Sequence, residues 1–582
     1  MKLAARTFVS LGLFSLATGV GSSGCTALFE NDKYQCTTDS DCTSRGPVFQ
    51  RTVCSTTDSV CVDANVTGCT SNEKCTADNN GAPYICKTKG GPCVSVFTAE
   101  CNTLIPHDAK MKDNAVLFAF TGLKTGSEAE AQKISYNIIE MGINELNRSL
   151  VGLPGGPNNV PRPILGIECD ESKAEGEGDY DRLRRSYHHI IDDLGIQAII
   201  TNSYSTSIVN VVVPEFTLPA GAFLMPNLSL SPLITTLDDN GLVWRSSSPT
   251  TVQAPAQAAL VPLIENKLRT AGDNPVPSST DIKVALLSST GVVFSSTGDK
   301  VQEVLRFNNK NVTQNKANGN FVRYNPVSSN DDPSVDLAPT ATDIVNFKPH
   351  ILVATNKGQD LWEIDPTLPK AVAPAVERQW TETHYRPYYV ISSPSIERAT
   401  AYLASITDTT KREDLRQRLV AVDQAPANAT VFSNFLINYQ ATYKDPKEDP
   451  VAAGLNLWAV EYDGIYAMVY AMFAAAQKDP ALPGKAIAEA MTRLVSGDAF
   501  YVGQTDIAQI RQRLASGQNV NLQGVYSTLD FDMTTGDSPT ETSVVCLEKS
   551  LTNPSVLEWK FSSMTWDRAN QRLVGTASCV GQ

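Results

Sequence analysis

Two hydroxyl-rich segments are the residues of this chain best suited to binding a small polar ligand. Residues 203–207 (Ser-Tyr-Ser-Thr-Ser) follow the apolar run 198–201, and residues 227–236, which are also rich in Ser and Thr, follow the apolar run 223–225. Each pattern predicts a buried strand, a loop and the start of a helix, where free N–H groups and the helix dipole favour a carboxylate. We expect the first helix to end near Pro214. Neither segment pairs a nucleophile with a base, so the pattern indicates binding rather than catalysis.

The length and charge of the chain limit what it can do. A chain of 582 residues is too long for one compact core and predicts about two to four domains. The formal net charge is -14 at pH 7, and the isoelectric point is near 5.0. Because nucleic-acid binding needs basic surface that displaces counterions, we expect no nucleic-acid partner.

The first residues have the pattern of an export signal. Two basic residues precede the apolar run 8–20, which is too short to span a membrane. Residues 22–25 (Ser-Ser-Gly-Cys) resemble the lipobox of bacterial lipoproteins, although that motif usually begins with Leu. We therefore predict a signal peptide over 1–24 and a lipid on Cys25, which would anchor the chain to a bacterial membrane outside the cytoplasm. The alternative is a secreted protein in which Cys25 is only structural.

The cysteine count supports the lipid anchor and predicts a small module. The chain has 13 cysteines, so that 12 remain to pair if Cys25 carries a lipid. Eight of them form two copies of one pattern, Cys36, Cys42, Cys54 and Cys61, then Cys69, Cys75, Cys86 and Cys93. We predict that residues 25–101 are a disulfide-rich module with two bridges in each copy, because so short a segment cannot bury a core. A zinc site is the weaker alternative, since the spacings are not those of C-x-x-C pairs.

Four cysteines remain outside these copies. Cys546 ends an apolar run and Cys579 lies in the predicted final strand, so we expect these two to pair. That leaves Cys101 to pair with Cys169, which would tie the module to the large domain.

From residue 113 onward, strand patterns alternate with helix patterns. We predict strands over 115–120, 163–167 and 198–201, with helices that begin at Glu128 and span 180–194. The pattern restarts with strands over 281–287, 320–324, 349–354 and 387–391, a loop over 288–297, and helices over 298–306, 336–346 and 358–364. A further apolar helix is predicted over 455–477. This order predicts α/β lobes with doubly wound parallel sheets and a ligand beyond the carboxyl ends of the strands.

Seven segments, in this order along the chain, resemble the type I periplasmic-binding fold. The resemblance is to the leucine/isoleucine/valine-binding family of ABC-transporter receptors and covers most of 113–582. The segments are 118–126, 138–144, 203–207, 225–231, 242–246, 462–466 (Tyr-Asp-Gly-Ile-Tyr) and 526–537. The resemblance implies two lobes joined by hinge strands, with lobe one formed by 113–249 and 393–527 and lobe two by 250–392 and 528–582.

The same resemblance implies which residues hold a small-molecule ligand. Lobe one would hold a carboxylate with Ser203, Ser205, Thr206 and Ser229, and Ser231 takes the place of a family Thr. At least one of these residues is expected to be only a helix cap. The resemblance also places Phe294 and Tyr462 against the ligand. No acid lies over 392–395, where the family has one for a ligand ammonium, and Glu397 is two residues further on.

No sequence motif indicates an enzyme, a cofactor or a metal. P-loop, H-E-x-x-H and G-x-S-x-G patterns are absent from the sequence. His188 and His189 are adjacent on a predicted helix and so face different directions. The acidic runs at 238–240 and 331–332 are predicted to be turns, because they lack the spaced ligands of a calcium loop.

Two functions follow as hypotheses. The first is a lipid-anchored, extracytoplasmic solute-binding protein that closes on a small polar ligand for an ABC transporter permease or a sensor. The alternative is a surface-anchored interaction protein that uses the binding fold as a scaffold. The missing acid near Ser395 and a predicted enlarged loop over 408–424 motivate the alternative, which would be favoured by an occluded cleft.

Overall fold

The structure, a computed structural model, describes residues 35–580 apart from 51, 56–58, 64–67, 157, 159, 271–274, 329–333, 364–370, 444–455 and 551–555. The predicted signal peptide over 1–24 and the predicted lipid site Cys25 lie outside the described residues. The chain divides into two compact units, of which the first is Met1–Thr70 with Thr88–Pro92 and the second is Ser71–Lys87 with Cys93–Gln582.

The described part of the first unit is a helix and a hairpin stabilised by disulfides. Helix α1 spans Asp39–Thr43, and strands β1 (Thr52–Ser55) and β2 (Val60–Asp63) pair antiparallel. The bridges are Cys36–Cys54 and Cys42–Cys61. Because so few residues cannot bury a large apolar core, these bridges take over much of the stabilisation.

The second unit begins with the same arrangement. Helix α2 (Asn72–Asp78) is followed by strands β3 (Tyr84–Ile85) and β4 (Val94–Ser95), which pair antiparallel. The bridge Cys75–Cys93 occupies the place that Cys42–Cys61 has in the first copy. All 12 cysteines among the described residues are disulfide-bonded. The repeat in the cysteine pattern is therefore also a repeat in structure.

The rest of the second unit alternates strands and helices. The strands are β5 (Cys101–Ile105), β6 (Val116–Gly122), β7 (Ile164–Asp170), β8 (Ala198–Thr201), β9 (Phe223–Met225), β10 (Val284–Leu287), β11 (Arg306–Phe307), β12 (Lys310–Asn311), β13 (Phe321–Tyr324), β14 (Ile351–Ala354), β15 (Tyr388–Ser392), β16 (Leu419–Ala425), β17 (Asp498–Tyr501), β18 (Val520–Gln523), β19 (Glu541–Lys549), β20 (Leu557–Asp567) and β21 (Arg572–Val574). The α-helices are α3 (Ala129–Ser149), α4 (Asp181–His188), α5 (Ser205–Ser207), α6 (Leu218–Ala220), α7 (Pro232–Thr235), α8 (Ala254–Thr270), α9 (Val292–Val304), α10 (Val312–Ala317), α11 (Ala338–Phe347), α12 (Gly358–Trp362), α13 (Val372–Gln379), α14 (Ile396–Ser405), α15 (Thr409–Gln417), α16 (Ala429–Tyr443), α17 (Val460–Ala476), α18 (Gly484–Ala490) and α19 (Ile507–Ala515).

The first lobe is built on a five-stranded sheet with the order β5-β7-β6-β8-β9. Strands β6 to β9 are parallel, whereas the edge strand β5 pairs antiparallel with β7. Cys101 of β5 lies opposite Cys169 of β7, and the two form a disulfide. This is one of the two pairings that the sequence predicts for the last four cysteines.

Both faces of the first sheet are covered, which is typical of parallel sheets. Phe118 and Phe120 of β6 pack in one core with α3 and α17, while Ala119 packs in a second core with α4. Every residue of α17 is buried. Helices α3 and α17 approach so closely that a Cβ on Gly142 would lie 2.8 Å from a methyl carbon of Ile465.

The second lobe is built on an eight-stranded sheet with the order β13-β10-β14-β15-β16-β19-β20-β21. Its first five strands are parallel, and the last three are antiparallel. Cys546 of β19 is bonded to Cys579, the other predicted pair. Cys579 itself lies in a short 3-10 helix, Ser578–Val580, rather than in the predicted final strand.

Strand β16 corrects the predicted boundary between the lobes. Residues 393–527 were expected to belong to lobe one, but β16 pairs with β15 on one side and β19 on the other. The chain therefore stays in the second sheet until Ala425 and reaches the first-lobe core only with α16, whose Phe432 and Phe435 are buried there. The predicted enlarged loop over 408–424 is also wrong, since these residues form α15 and most of β16.

Two helices differ from their predicted limits for local reasons. The helix expected to end near Pro214 continues as a π-helix over Ile208–Thr217 and then as α6. A π-helix pairs each N–H with a carbonyl five residues earlier, so that the N–H missing at Pro214 changes the pairing without ending the helix. Helix α9 begins at Val292 within the predicted loop, directly after Gly291, which has a φ of 93°.

Within the part of the chain that the structure describes, no helix is both long enough and apolar enough to cross a membrane.

Candidate ligand-binding site

A cleft of about 490 Å³ lies where the carboxyl ends of strands from both sheets meet. The lobe-one wall consists of residues 202–205 after β8 and 228–230 after β9. The lobe-two wall consists of Ser393, Pro394 and Ile396 after β15, with Asp423 of β16. Leu123, Glu128, Ala131, Gln132 and Trp458 complete the lining. The carboxyl ends of parallel strands are the usual place for a ligand in open α/β sheets.

Three of the predicted ligand-binding residues line this cleft. They are Ser203, Ser205 and Ser229. Ser203 and Ser229 are buried in its wall, and the Ser229 hydroxyl donates to the Ser203 carbonyl at 3.2 Å. The Ser205 hydroxyl makes no hydrogen bond within the described residues, and Ser205 is the first residue of a helix that runs through α5 and the π-helix. The first turn of that helix leaves backbone N–H groups for an anion.

The other four predicted residues lie elsewhere. Thr206 is exposed and does not line the cleft. The Ser231 hydroxyl accepts the N–H of Leu233 and so caps α7. Phe294 lies in the first turn of α9 rather than in a loop, and it does not line the cleft.

Tyr462 faces a different part of the first lobe. Its hydroxyl donates to the carboxylate of Glu145, which also accepts from Tyr466 at 2.6 Å and from the Gln504 amide at 2.7 Å. A separate cavity of about 400 Å³ next to α16 has Tyr462 in its wall. Tyr462 therefore packs against α3 and α16, and the ligand contact that the resemblance implies for this tyrosine stays a prediction.

Arg245 holds the Ser229 loop in place. Its side chain is fully buried and forms an ion pair with Asp537 from the segment before β19. One guanidinium nitrogen donates to the carbonyls of Ser229 and Ser231, at 2.6 Å and 2.9 Å. A second nitrogen donates to the Thr235 hydroxyl at 2.6 Å. The ion pair between Arg245 and Asp537 is bidentate. Bidentate contacts fix geometry as well as adding energy, so Arg245 holds the lobe-one wall in position from the side opposite the cleft.

A chain of hydroxyl groups runs behind Ser203. The Tyr187 and Thr121 hydroxyls lie 3.2 Å apart, and Thr121 donates to Thr201 at 2.7 Å. Thr201 and Ser203 are also 2.7 Å apart, and Ser203 donates to the Glu171 carboxylate. Glu171 follows β7 directly and is buried. Desolvation raises its pKa to about 7, so this group is protonated in part at neutral pH.

The carboxylate of Asp423 lies beside residues 392–395, which contain no acid. It accepts the hydroxyl of Ser393 and, at 2.7 Å, the N–H of Gln424. Burial raises its pKa to about 6, so that it is mostly ionised at pH 7. The side chain lines the cleft beside Ser393 and Pro394. Asp423 belongs to the neighbouring strand β16, and the apolar run 419–422 directly before it is the sequence signal for that strand.

Two buried acids on α17 complete the first lobe without lining the cleft. Glu461 accepts from the Asn227 amide at 2.9 Å, and Asp463 accepts the N–H groups of Val525, Tyr526 and Ser527 at 2.6 to 3.0 Å. Burial raises the pKa of each to about 7. The side chain of Glu397, the nearest acid in the sequence to 392–395, lies outside what the structure describes.

Possible metal ligands are engaged in other contacts. His188 pairs with Asp192 at 2.7 Å, whereas His189 contacts Asp193 at 2.9 Å and the Val96 carbonyl at 3.0 Å. Among the described residues, the one group with the spacing of metal ligands is Cys36, Cys42 and Cys61, and all three are in disulfides. Asp239 accepts the N–H groups of Gly241 and Val243, which makes 238–240 the expected turn; 331–332 lies outside the described residues.

Comparison with solved structures identifies the fold. One match is a periplasmic binding protein of type 1 from Bordetella pertussis Tohama I, with 13% identity and a TM-score of 0.50, covering 77% of this chain and 100% of that one. Another is a branched chain amino acid ABC transporter protein from Thermus thermophilus with bound valine, with 12% identity and a TM-score of 0.50, covering 80% of this chain and 97% of that one. Neither is described as an enzyme. No protein-family model and no curated protein sequence matches the chain.

The chain therefore has the type I periplasmic binding protein fold, with two α/β lobes, as the sequence analysis predicted. At identities of 12% and 13% the likeness concerns the fold alone. Membership of this chain in the leucine/isoleucine/valine-binding family stays a prediction.

Proposed function

We propose that this chain is an extracytoplasmic solute-binding protein that closes its two lobes on a small ligand with an amino-acid-like end. The proposal rests on one observation: one wall of the cleft offers hydrogen-bond donors, and the opposite wall offers a carboxylate. Ser205 and the helix start behind it offer donors to a carboxylate, while Asp423 offers a carboxylate to an ammonium. A cleft of about 490 Å³ is within the range of about 300–1,000 Å³ usual for small-molecule sites.

The lobes in this proposal follow the observed sheets. Lobe one combines 113–249 with 426–540, since Leu529 and Phe531 are buried in the first-lobe core, and lobe two combines 250–425 with 541–582, which begins with β19. The valine bound by the Thermus thermophilus protein is consistent with an amino acid in this cleft. Delivery to an ABC transporter permease, or to a sensor, is the role we propose for the closed, ligand-bound form.

Removal of the Asp423 charge tests the proposal. We expect Asp423→Asn to weaken binding of the best-bound common L-amino acid by about tenfold or more, because a charged hydrogen bond contributes about 1.5–3 kcal/mol. Binding is measured by calorimetry and by the rise in thermal stability that a ligand of the native state produces. Glu489→Gln is the matched control, since Glu489 is exposed on α18.

Native mass spectrometry gives an independent test without a chosen ligand. A small co-purifying mass that is lost on unfolding and refolding is expected for a binding protein. If no common amino acid stabilises the chain and no small mass accompanies it, the proposal is wrong.

We also propose that Cys25 carries a lipid that anchors the exported chain. The disulfide bonding of all 12 described cysteines supports export to an oxidising compartment and leaves Cys25 as the odd residue among 13. In cell fractions, Cys25→Ser is expected to move the protein from the membrane to the soluble fraction. Retention of the variant on the membrane would contradict the anchor.

The alternative, a surface interaction scaffold, has less support. It predicted an occluded cleft, whereas the two walls enclose a cavity with a carboxylate. Two features motivated this alternative: a missing acid near Ser395 and an enlarged loop over 408–424. In the structure Asp423 lies next to Ser393, and most of 408–424 forms α15 and β16.

A further inference from the structure

The hydrogen of the Ser203 hydroxyl is already used behind the cleft wall. Thr201 accepts two hydrogens, from the Ser203 N–H at 3.0 Å and from the Thr121 hydroxyl at 2.7 Å. Its own hydrogen must therefore go to Ser203, 2.7 Å away. Ser203 in turn donates to Glu171. With one hydrogen for each hydroxyl, this order leaves Ser203 only a lone pair to present to the cleft.

Protonation of Glu171 reverses the last bond of this chain. A neutral Glu171 has an O–H of its own and donates it to Ser203, whose oxygen then accepts from both Glu171 and Thr201. The Ser203 hydrogen is released and can turn towards the cleft. A lone pair repels a bound carboxylate, whereas an O–H donates to it, so the two states of Glu171 give the cleft opposite chemistry at one position.

We propose that Glu171 is a positioning residue whose protonation decides whether Ser203 donates a hydrogen bond to a carboxylate in the cleft. This inference rests on the proposed function, because it concerns a carboxylate ligand in that site. It adds a residue that no motif indicated and makes binding weaker as pH rises, whereas ionisation of the cleft-lining Asp423, with a pKa of about 6, acts in the opposite direction.

The surroundings of Glu171 favour the neutral form. Its Oε1 atom is buried and makes no hydrogen bond within the described residues. Desolvation and the neighbouring Asp170, which repels a second negative charge, raise the pKa of Glu171, and the facing hydroxyls of Ser203, Thr121 and Tyr187 lower it without offsetting the desolvation. Arg182 pairs with Asp170 at 2.9 Å rather than with Glu171. Lys124 is directed to Glu168 at 2.8 Å, so among the described residues no cation is paired with Glu171.

The test is the pH dependence of binding by the full-length chain with its disulfides intact. The probe is the common L-amino acid that raises the unfolding temperature most. We expect its affinity to fall by about tenfold between about pH 6 and pH 8, which corresponds to the loss of a charged hydrogen bond. In Glu171→Gln the amide N–H donates to Ser203 at every pH, so the fall is expected to disappear.

Two controls separate this role from a structural one. Glu461→Gln removes another buried acid of the first lobe with a pKa near 7, and it is expected to keep the fall in affinity. The amine that corresponds to the probe without its carboxylate is expected to show no fall in the native protein, because it has nothing for Ser203 to donate to. Ser203→Ala is expected to bind the amino acid weakly and without the fall.

The outcomes are distinct. The inference is wrong if Glu171→Gln keeps the full fall, if Glu461→Gln abolishes it, or if the amine shows it equally. If Glu171→Gln does not fold, as judged by its thermal transition, Ser203→Ala and the amine decide the same question. If no amino acid binds to the native chain at any pH, the proposed function fails and this inference fails with it.

Discussion

The lobe-one wall of the cleft is held by a buried ion pair and a chain of hydroxyls, whereas the lobe-two wall is held by two neighbouring strands and by the Gln253 amide, which donates to the Ser393 hydroxyl at 2.7 Å. Arg245 connects the Ser229 loop to Asp537, and a hydroxyl chain connects Ser203 to Glu171. On the other wall, Asp423 is fixed by Ser393 and by the N–H of Gln424. A preorganised wall lowers the cost of binding because less is ordered when the ligand arrives.

Under the proposed function, this difference gives the two walls different roles. The lobe-one wall would define where a carboxylate lies before the lobes close. The lobe-two wall would bring one charge to the ligand as the second lobe moves, since closure of two lobes around a hinge needs only one of them to carry the fixed site.

Removal of Arg245 is expected to have the largest effect of these changes on the free energy of unfolding. It tests directly whether the two walls of the cleft are held differently. Arg245→Ala leaves Asp537, whose side chain is only 13% exposed, without a cation and removes the donors to two carbonyls. We expect the free energy of unfolding to fall by about 3–5 kcal/mol, the usual result of removing one partner of a buried ion pair. Urea denaturation measures it.

Arg184→Ala is the matched control for that change. Arg184 pairs with Glu215, and the two side chains are 40% and 39% exposed, so the expected loss is below about 1 kcal/mol. Equal losses in the two variants would mean that the lobe-one wall is not braced by Arg245.

The second prediction concerns pH and the acids buried in the first lobe. The pKa of Glu461 is raised to about 7 by desolvation, well above its ordinary value of 4.5. Between these two pH values the native state binds more protons than the unfolded chain, so stability falls as pH rises through the window. We expect Glu461→Gln to remove about 1–3 kcal/mol of this fall, measured as unfolding free energy at about pH 5 and pH 8.

The outcome for Asp423→Asn sharpens the contrast between the walls. Asp423 lines the cleft and has a pKa of about 6, so its variant is expected to change the stability profile less than Glu461→Gln does. A larger effect from Asp423 would place the more strongly desolvated acid on the lobe-two wall.

The smallest expected effect distinguishes two adjacent residues of the lobe-one wall. Ser205→Ala removes a hydroxyl that lines the cleft, and Thr206→Ala removes one that is exposed outside it. We expect the first to weaken amino-acid binding by about threefold to tenfold, the net value of one hydrogen bond, and the second to leave binding unchanged. Calorimetry on both variants decides between them, and a reversed order would move the site by one residue along the helix.

The sequence predicted the lobe-one wall better than the lobe-two wall, for physical reasons. Strand β8 and the hydroxyls after it are close in the chain, so periodicity and turn chemistry reveal them. Asp423 is opposite Ser393 only because β15 and β16 are neighbours in the sheet, and strand order is not visible in local spacing. Glu171 was not predicted for the same reason, since its partners Thr121, Tyr187 and Ser203 lie on β6, on α4 and after β8.

Two predicted site residues do not line the cleft, and local sequence does not show where they lie. Tyr462 is on a helix whose every residue is buried, and its hydroxyl donates to the Glu145 carboxylate. Phe294 belongs to a helix that begins within the predicted loop. A part for either residue in ligand binding stays a prediction.

The contact between Arg245 and Asp537 also constrains how the protein is made. Arg245 and its counterion Asp537 are 292 residues apart in the sequence. During synthesis, Arg245 is therefore without its counterion while most of the second lobe is made. The lobe-one wall acquires its ion pair only when Asp537 is present, so a product that stops before Asp537 cannot form this wall completely.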